Sequence, residues 1–260
     1  MQTGQAPIAA PWVLIPPMTQ PVERALLARL PELAGGWQQV CYEVLEGVQL
    51  KLVVPAAPDQ LLDDVDVQER NRFNDAMPYW AWVWDAAPIM ARQLLRELSI
   101  LTGPQPLRVL ELGAGLGLVG LWLGSAFGDR IELTLTDYDR SAVEALGVEI
   151  ELNGLEGIVR AEALDWTEPW VTERGSFDVM IASDVLYEAR SHGPILDLLQ
   201  AALRPGGSAW FADPGRPRSP LFIGRAQARG LIAKVLDEAG VPQEPESGSF
   251  RLFRVQRPKV

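Results

Sequence analysis

The sequence predicts an α/β fold in which helices cover both faces of a mostly parallel sheet. From residue 107 onward, short apolar runs alternate with segments whose apolar residues recur at helical spacing, which is the pattern of parallel strands joined by helices. The first of these runs ends in a glycine-rich turn that opens a helix. With 260 residues, 48% of them hydrophobic, the chain is long and apolar enough to bury one large core.

Residues 1–75 are predicted to form an N-terminal extension. Apolar residues at helical spacing predict a helix within 21–33. The segment 37–54 alternates apolar and polar residues around Glu46 and Gly47, which predicts a β-hairpin. A helix and a hairpin are therefore expected before the main domain.

Residues 76–260 are predicted to form the main domain. Asp85 is suited to cap a helix whose first turn holds Pro88. Strands are predicted at 107–112, 131–136, 158–164, 177–183, 207–212 and 249–256, and further helices at 116–127, 140–152, 194–203 and 228–240. Ligands of such sheets bind at the carboxyl ends of the strands, so the chemistry is expected there.

The composition argues against several classes of function. A formal charge of −11 disfavours a nucleic-acid partner and suits a basic one, such as a lysine-bearing protein. Cys41 is the only cysteine, so an internal disulfide is impossible and a reducing compartment is expected. His192, on a polar segment, is the only histidine, and metal ligation has no support. No stretch has the pattern of a signal peptide or a membrane span, which predicts a cytoplasmic globular protein.

Three tryptophans, Trp80, Trp82 and Trp84, alternate just before the first helix of the main domain. On an extended strand this alternation would place all three indoles on one face. Such a face can be core, a nucleic-acid stacking platform, a protein interface or the wall of a small-molecule site. The negative charge weakens the nucleic-acid option, and the other three stay open at this point.

The glycine-rich turn follows the first predicted strand with the pattern E-x-G-x-G-x-G, from Glu111 to Gly117. Gly113, Gly115 and Gly117 allow a sharp bend and let the backbone approach a ligand closely. The dinucleotide fingerprint would need its third glycine where Leu118 stands. The turn is therefore either a cofactor-binding loop of another type or a tight connection without a ligand.

Acidic residues follow the next two strands. Asp137 ends the second strand, where a carboxylate can bind the ribose hydroxyls of a nucleoside, or it caps the next helix, a role that Asp139 can also fill. Asp165 and Trp166 follow the third strand, where they can bind and stack on an adenine, or form a turn beside a buried indole.

The fourth and fifth strands end in two further motifs. Ser183 is followed by Asp184 and Tyr187 in a D-x-x-Y pattern, which is either an active-site pair or a capping aspartate beside a packed tyrosine. The fifth strand leads into the sequence DPGRP, in which Asp213 and Arg216 either contact a substrate or belong to a plain Pro-Gly turn with a solvated arginine.

Together these motifs resemble the class I S-adenosylmethionine-dependent methyltransferases over residues 76–260. The resemblance implies a Rossmann-like, doubly wound sheet of seven strands with an antiparallel last strand. It also implies S-adenosyl-L-methionine as cofactor, with the glycine-rich turn at its methionine end, the second-strand acid at its ribose and the residues after the third strand at its adenine. The implied cofactor contacts are Trp84, Glu111, Gly113, Ala114, Gly115, Gly117, Asp137, Tyr138, Asp165, Trp166 and Ser183.

The D-x-x-Y motif resembles the hallmark of the seven-strand protein lysine methyltransferases. The sequences PYWAWVW and DPGRP are further similar to the electron-transfer flavoprotein β-subunit lysine methyltransferases within that group. This resemblance implies a protein substrate with that β subunit as candidate, Asp184 and Tyr187 as catalytic residues, and substrate contacts from Trp80, Asp213 and Arg216. It places Trp84 at the methionine end of the cofactor and Trp80 towards the incoming lysine.

Methyl transfer to lysine is an in-line displacement, so alignment and exclusion of water are the main tasks. At a pH of about 7.4, an amine with a reference pKa of about 10.4 needs roughly 4 kcal/mol to reach its neutral, reactive form. Asp184 would dock this amine, yet an isolated carboxylate also favours the ammonium, so orienting and deprotonating roles both stay open. Two other functions also stay open: methylation of a small amine or other metabolite, and a catalytically silent cofactor-binding module.

Overall fold

The structure, a computed structural model, describes residues 18–45, 48–63, 67–69, 77–99, 105–168, 175–248 and 250–259. Its strands are β1 (Met18–Gln20), β2 (Trp37–Leu45), β3 (Val48–Pro55), β4 (Leu107–Leu112), β5 (Ile131–Asp137), β6 (Val159–Ala163), β7 (Phe177–Ser183), β8 (Leu203–Asp213), β9 (Ile232–Leu236) and β10 (Arg251–Gln256). The helices used below are α1 (Arg24–Leu27), α2 (Ala86–Ser99), α3 (Leu118–Phe127), α4 (Arg140–Leu152), α5 (His192–Ala202) and α6 (Leu221–Ala228).

The main sheet has seven strands in the order β6-β5-β4-β7-β8-β10-β9. Strands β6, β5, β4, β7 and β8 run parallel, whereas β10 is antiparallel to both β8 and β9. The Rossmann-like fold with an antiparallel last strand is therefore confirmed. The central strands are apolar almost throughout because helices cover both of their faces.

Two apolar layers enclose the sheet. On one face, α2 and α3 pack against strand residues such as Val109 and Ile181. On the other face, α5 and α6 pack against residues such as Leu110 and Phe211. Alternate residues of one strand thus face opposite layers, and the carboxyl ends of the parallel strands are left as the edge where loops gather.

The segment 228–240 is the clearest error of the sequence prediction, because it forms strand β9 instead of a helix. The preceding helix, α6, was not predicted; Gly230 follows it with a φ of 76°. Val235 then pairs with Phe253 across the antiparallel β9–β10 ladder. Leucine, alanine and lysine favour helices locally, and the pairing with β10 overrides that preference.

The N-terminal extension forms a separate three-stranded antiparallel sheet in the order β1-β2-β3. The predicted hairpin is confirmed as β2 and β3, although its turn at residues 46–47 lies outside the described residues. The helix predicted within 21–33 is only the four-residue α1, and β1 was not predicted.

Leu50 and Leu52 of β3 join the hydrophobic core formed with α2 and α3. The carboxylate of Glu149 accepts a 3.2 Å hydrogen bond from the backbone N–H of Val53, which fastens α4 to this small sheet. The predicted division between residues 75 and 76 lies outside the described residues and stays a prediction.

Candidate active site

A cleft lies at the carboxyl ends of β4, β5 and β7 and encloses about 760 Å³ of space open to solvent. Most of the residues selected from the sequence line it: Trp80, Trp84, Glu111, Gly113, Ala114, Gly115, Asp137, Tyr138, Trp166, Ser183, Asp184 and Tyr187. The parallel strands bring these residues together because each motif directly follows a strand that ends at this edge. Four selected residues, Gly117, Asp165, Asp213 and Arg216, are not among the residues lining this cleft.

The glycine-rich turn needs its glycines for two different reasons. Gly113 and Gly115 have φ values of 59° and 54°, in the left-handed region that favours glycine. A Cβ on Gly115 would lie 3.2 Å from the carbonyl oxygen of Trp80, so the aromatic segment crosses directly over the turn. Gly117, with a φ of 71°, instead faces Leu146 of α4, to which a Cβ would approach within 2.5 Å. Gly117 thus serves the packing of the turn.

Glu111 and Ser183 present buried polar atoms that no described residue satisfies. Glu111 is 2% exposed, and its Oε2 has no hydrogen-bond partner among the described residues. Burial raises the pKa of the Glu111 carboxyl to about 8. The Oγ of Ser183 is likewise buried and unsatisfied within the described part of the chain. The backbone of Gly120 in α3 lies against the Glu111 carboxyl and opposes the rise of its pKa. Since buried polar groups in proteins are nearly always bonded, the Ser183 hydroxyl in the cleft lining indicates a polar ligand there.

Asp137 is held in place by the backbone around it. Its Oδ2 accepts a hydrogen bond from the N–H of Gly115, and its Oδ1 accepts one from the N–H of Asp139, both at 3.0 Å. Burial raises the pKa of Asp137 to about 6, and these hydrogen bonds oppose the rise. Asp139, and not Asp137, caps α4 by accepting a 2.9 Å bond from the N–H of Ser141. The carboxylate of Asp137 therefore remains in the lining of the cleft.

Of the two selected residues that follow β6, Trp166 lines the cleft and Asp165 does not. Trp166 lines the cleft beside Gly113, whose Cβ would lie 3.3 Å from the indole ring. Asp165 is exposed, and its carboxylate closes a turn by accepting bonds of 2.8 and 2.6 Å from the backbone N–H and the hydroxyl of Thr167. Tyr138 lines the opposite wall, and its hydroxyl lies 3.4 Å from the carbonyl oxygen of Met77.

Asp184 combines a strained backbone with a tightly held side chain. Its φ of 56° is the only positive value at a non-glycine position among the described residues. Its N–H donates a 2.8 Å bond to Ala212, which fixes this conformation. Arg216 grips the carboxylate with two bonds, from Nε at 2.9 Å and from Nη2 at 2.6 Å. Burial raises the pKa of Asp184 and the Arg216 guanidinium opposes the rise. Strained conformations that persist in this way are concentrated at functional sites.

A smaller hollow of about 380 Å³ continues the cleft outward from Asp184, lined also by Tyr79, Trp84, Tyr187 and Arg216. Tyr79 meets Tyr187 edge-on at a centroid distance of 5.6 Å and meets Trp84 edge-on at 6.2 Å. The guanidinium of Arg216 lies 5.4 Å from the centre of the Trp84 ring. Tyr79 was not selected from the sequence, because it falls outside the alternation of tryptophans.

The single face predicted for the three tryptophans is wrong. The aromatic segment is not a strand: Tyr79–Ala81 form a 3-10 turn, which breaks the expected single face. Trp80 is 6% exposed and packs beside Trp37 with its backbone over Gly115, at the inner end of the cleft. Trp84 lines both the cleft and the smaller hollow, as Asp184 does. Which tryptophan faces the methionine end and which faces the lysine stays a prediction.

Asp213 does not reach the cleft, contrary to the substrate contact implied by the resemblance. It is fully buried, and its Oδ1 accepts bonds from the hydroxyl of Ser219, from Nη1 of Arg251 and from the backbone N–H of Arg216. Arg251 lies in the neighbouring strand β10 but is 38 residues away along the chain, so the sequence could not link it to this motif. Asp213 instead organises the loop that carries Arg216.

His192 is also placed differently from the prediction. It is the first residue of α5, fully buried, and its Nε2 lies 3.0 Å from the carbonyl oxygen of Leu186, in the segment between Asp184 and α5. Burial lowers the pKa of its imidazole. In the described ranges, no three histidine, cysteine, aspartate or glutamate side chains come together as a metal site would need. Those ranges also contain no helix with the length and apolar character of a membrane span.

Comparison with known proteins adds to this geometry. A family model described as lysine methyltransferase matches residues 74–216, more than half of the chain. The chain is 33% identical over 122 residues to the protein-lysine N-methyltransferase EFM2 of Saccharomyces cerevisiae. The aligned region covers 43% of this chain and 29% of EFM2. It is also 26% identical over 183 residues to the calmodulin-lysine N-methyltransferase of Arabidopsis thaliana. This aligned region covers 68% of this chain and 59% of the Arabidopsis protein.

The chain thus spans less than two thirds of the length of either curated relative. Among solved structures, a SAM-dependent methyltransferase from Aquifex aeolicus superposes with a TM-score of 0.51 at 15% sequence identity. That superposition covers 76% of this chain and 97% of the other. At this identity the likeness shows the fold and nothing about the reaction.

Proposed function

The chain belongs to the lysine methyltransferase family, and from this premise we propose that it is an S-adenosyl-L-methionine-dependent protein lysine N-methyltransferase. One observation carries the proposal. The cleft joins a glycine-rich turn with unsatisfied polar atoms to a strained, clamped aspartate in a D-x-x-Y motif. The glycine-rich turn would form the cofactor half of the site and the D-x-x-Y motif its reaction half, and both line the same cleft.

The residues present fit the cofactor. The unpartnered Oγ of Ser183 would receive a polar group at the methionine end, and the Glu111 carboxyl, which also lines the cleft, would receive another. Gly113 and Gly115 allow the backbone to approach the ligand without a Cβ clash. The Asp137 carboxylate would accept ribose hydroxyls, as acids at the end of a second strand do for nucleosides. When bound, S-adenosyl-L-methionine supplies an electrophilic methyl carbon on a sulfonium.

The adenine end of the cofactor would rest against Trp166. Its indole lies in the lining beside Gly113, where it can stack on a flat ring. The adenine contact expected of Asp165 would require its carboxylate to leave Thr167. We therefore propose stacking on Trp166 as the main contact of this end.

The reaction half would align a neutral amine. A carboxylate accepts hydrogen bonds in up to about four lone-pair directions, so Asp184 can accept one N–H of the amine while Arg216 keeps its two bonds. That bond fixes the direction of the nitrogen lone pair. The rings of Tyr79, Trp84 and Tyr187 would enclose the aliphatic stem and exclude water. Tyr187 offers its hydroxyl as a second hydrogen-bonding group.

We further propose the β subunit of electron-transfer flavoprotein as the substrate. The resemblance of PYWAWVW and DPGRP supports this substrate, and the net charge of −11 suits a lysine-bearing partner. The relatives in yeast and Arabidopsis carry names that point to protein lysines as well.

The test is intact-protein mass spectrometry of the purified β subunit after incubation with enzyme and S-adenosyl-L-methionine. We expect mass increases in steps of one methyl group, absent with the Asp184→Asn variant. A parallel incubation uses labelled S-adenosyl-L-methionine and cell lysate. An unchanged mass of the β subunit, together with label in another lysate protein, would reject this substrate and support protein lysine methylation. Label confined to small molecules would reject protein lysine methylation itself.

A further inference from the structure

The Asp184 carboxylate does not stand alone in the cleft. Its side chain is 3% exposed, and Arg216 holds both of its oxygens in a bidentate pair at 2.9 and 2.6 Å. Bidentate arginine–carboxylate pairs fix the plane of the carboxylate as well as its charge. The orientation of Asp184 is therefore set before any substrate arrives.

Arg216 is itself held from three sides. Its backbone N–H donates a 2.9 Å bond to Asp213, its guanidinium lies over Trp84, and its fork grips Asp184. Asp213 is in turn fixed by the Nη1 of Arg251 at 3.1 Å. Support from these three partners pre-organises the guanidinium, so little ordering is left for the moment of binding.

The charges around this pair decide what form of lysine the site favours. A lone carboxylate would stabilise the ammonium and raise the pKa of the incoming amine, which opposes catalysis. The other groups whose fields reach the pair are Asp213 and the phenol of Tyr187. Since Asp213 is paired with Arg251, the Asp184–Arg216 unit presents almost no net charge to the amine.

From this juxtaposition we propose that Arg216 is a positioning residue that cancels the charge of Asp184, so that Asp184 orients a neutral lysine amine without favouring the ammonium. The inference rests on the proposed function and deepens it, because it assigns how the site obtains the reactive form of its substrate. Asp184 then orients the amine and does not act as its base. The proton leaves to solvent before the amine attacks.

The first test is the pH dependence of the rate at saturating electron-transfer flavoprotein β subunit, compared among wild type, Arg216→Met, Arg216→Lys and Arg218→Met. For Arg216→Met we expect the midpoint of the profile to rise by on the order of one pH unit, with activity recovered at high pH. Arg216→Lys keeps the charge and should keep the midpoint. Arg218, exposed in the same loop, is the matched control and should change nothing.

A lower rate at every pH with an unmoved midpoint in Arg216→Met would overturn the inference, since a purely structural role predicts that result. So would a midpoint that moves equally in Arg216→Lys. Thermal melting and binding of S-adenosylhomocysteine establish that each variant is folded.

The second test needs no methyl transfer. A carbon-13 NMR titration of the Asp184 carboxyl, assigned with Asp184→Asn, should give a pKa higher by about one unit or more in Arg216→Met than in wild type. Equal titrations in the two proteins would overturn the inference even if methylation were observed. If wild type methylates no protein lysine, the proposed function fails and the titration still decides the role of Arg216.

Discussion

Asp184 is the residue on which the proposed chemistry depends. An aspartate tolerates the left-handed conformation better than most residues, yet such a φ still costs about 1 kcal/mol or more. The bond from its N–H to Ala212 and the clamp of Arg216 maintain this conformation. The carboxylate can thus be aimed into the cleft from a turn too sharp for a relaxed backbone.

Asp184→Asn is expected to reduce the single-turnover rate of methyl transfer by about 100-fold or more, because the amide NH2 group cannot accept from Arg216 and the remaining oxygen no longer aligns the amine. Affinity for S-adenosylhomocysteine, measured by calorimetry, should stay close to that of wild type. Asp197→Asn removes an aspartate from an exposed ion pair of α5 and serves as the control with unchanged rate. A large loss of cofactor affinity in Asp184→Asn would contradict this assignment.

We expect Glu111 to link cofactor binding to the release of a proton. Its carboxyl, with a pKa of about 8, is mostly protonated at neutral pH in the free protein. A cationic amino group bound in the cleft beside this carboxyl would favour the carboxylate, so binding of S-adenosylhomocysteine at pH 7 should release a proton. Calorimetry in buffers of different ionisation enthalpy measures this release, which Glu111→Gln should abolish.

The raised pKa of Glu111 also makes the stability of the folded protein depend on pH. Because the pKa of Glu111 in the folded protein lies above its ordinary value of 4.5, the folded protein binds more protons at this residue than the unfolded chain does between pH of about 4.5 and 8. Its contribution to stability is present below that window and is lost as pH rises through about 8. Glu111→Gln should flatten this decline, and identical pH dependence of melting in both proteins would show that Glu111 is not buried as described.

Single residues differed in how far the sequence could place them. Asp184, Tyr187 and the glycines follow strand ends, and the parallel sheet brings strand ends together, so they could be predicted. Tyr79 enters the site through a 3-10 turn that no local pattern signals. Strand β10 was predicted, but the bond from its Arg251 to Asp213 is a tertiary contact that the sequence does not show. The predicted single aromatic face was wrong because alternation has this meaning only on an extended strand, and Tyr79–Ala81 form a 3-10 turn.

At the scale of elements, helix α3 must lie close to the sheet to place the glycine-rich turn. A Cβ on Gly120 would fall 2.2 Å from Leu135 of β5 and 2.4 Å from the Oε2 of Glu111. Gly147 of α4, by contrast, is exposed and has no atom within 4 Å of a Cβ position. The two helices thus contain glycine for opposite reasons.

Gly120→Ala is expected to lower the free energy of unfolding by about 1–3 kcal/mol through overpacking. Gly147→Ala should raise it by about 0.5–1 kcal/mol, because alanine has the better helix propensity in a helix interior. Urea unfolding measures both. Equal effects of the two substitutions would contradict the close packing of α3 on β5.

Elements with a clear hydrophobic pattern were predicted well. Elements whose conformation depends on pairing with a neighbouring strand were not. Strands β4, β5 and β7 are buried on both faces, so their apolar runs identified them. Strand β9 has mixed exposure at the edge of the sheet and is built from residues that also suit a helix. Its identity comes from pairing with β10, which is tertiary information.

At the scale of the whole molecule, the seven-stranded sheet acts as a scaffold whose one edge collects the site. The small N-terminal sheet shares its core with α2 and α3 through Leu50 and Leu52. The segment between that sheet and the main domain includes the 3-10 turn that crosses the glycine-rich loop. The net charge of −11 is compatible with a basic partner.

The central claim is that this site transfers methyl groups to protein lysines. The most direct measurement incubates wild type and Asp184→Asn with methyl-labelled S-adenosyl-L-methionine and clarified cell lysate, and then analyses the acid-hydrolysed protein fraction. We predict labelled methyllysine with wild type and its loss with Asp184→Asn. Label recovered only in the small-molecule fraction, or equal methyllysine with both proteins, would contradict the claim.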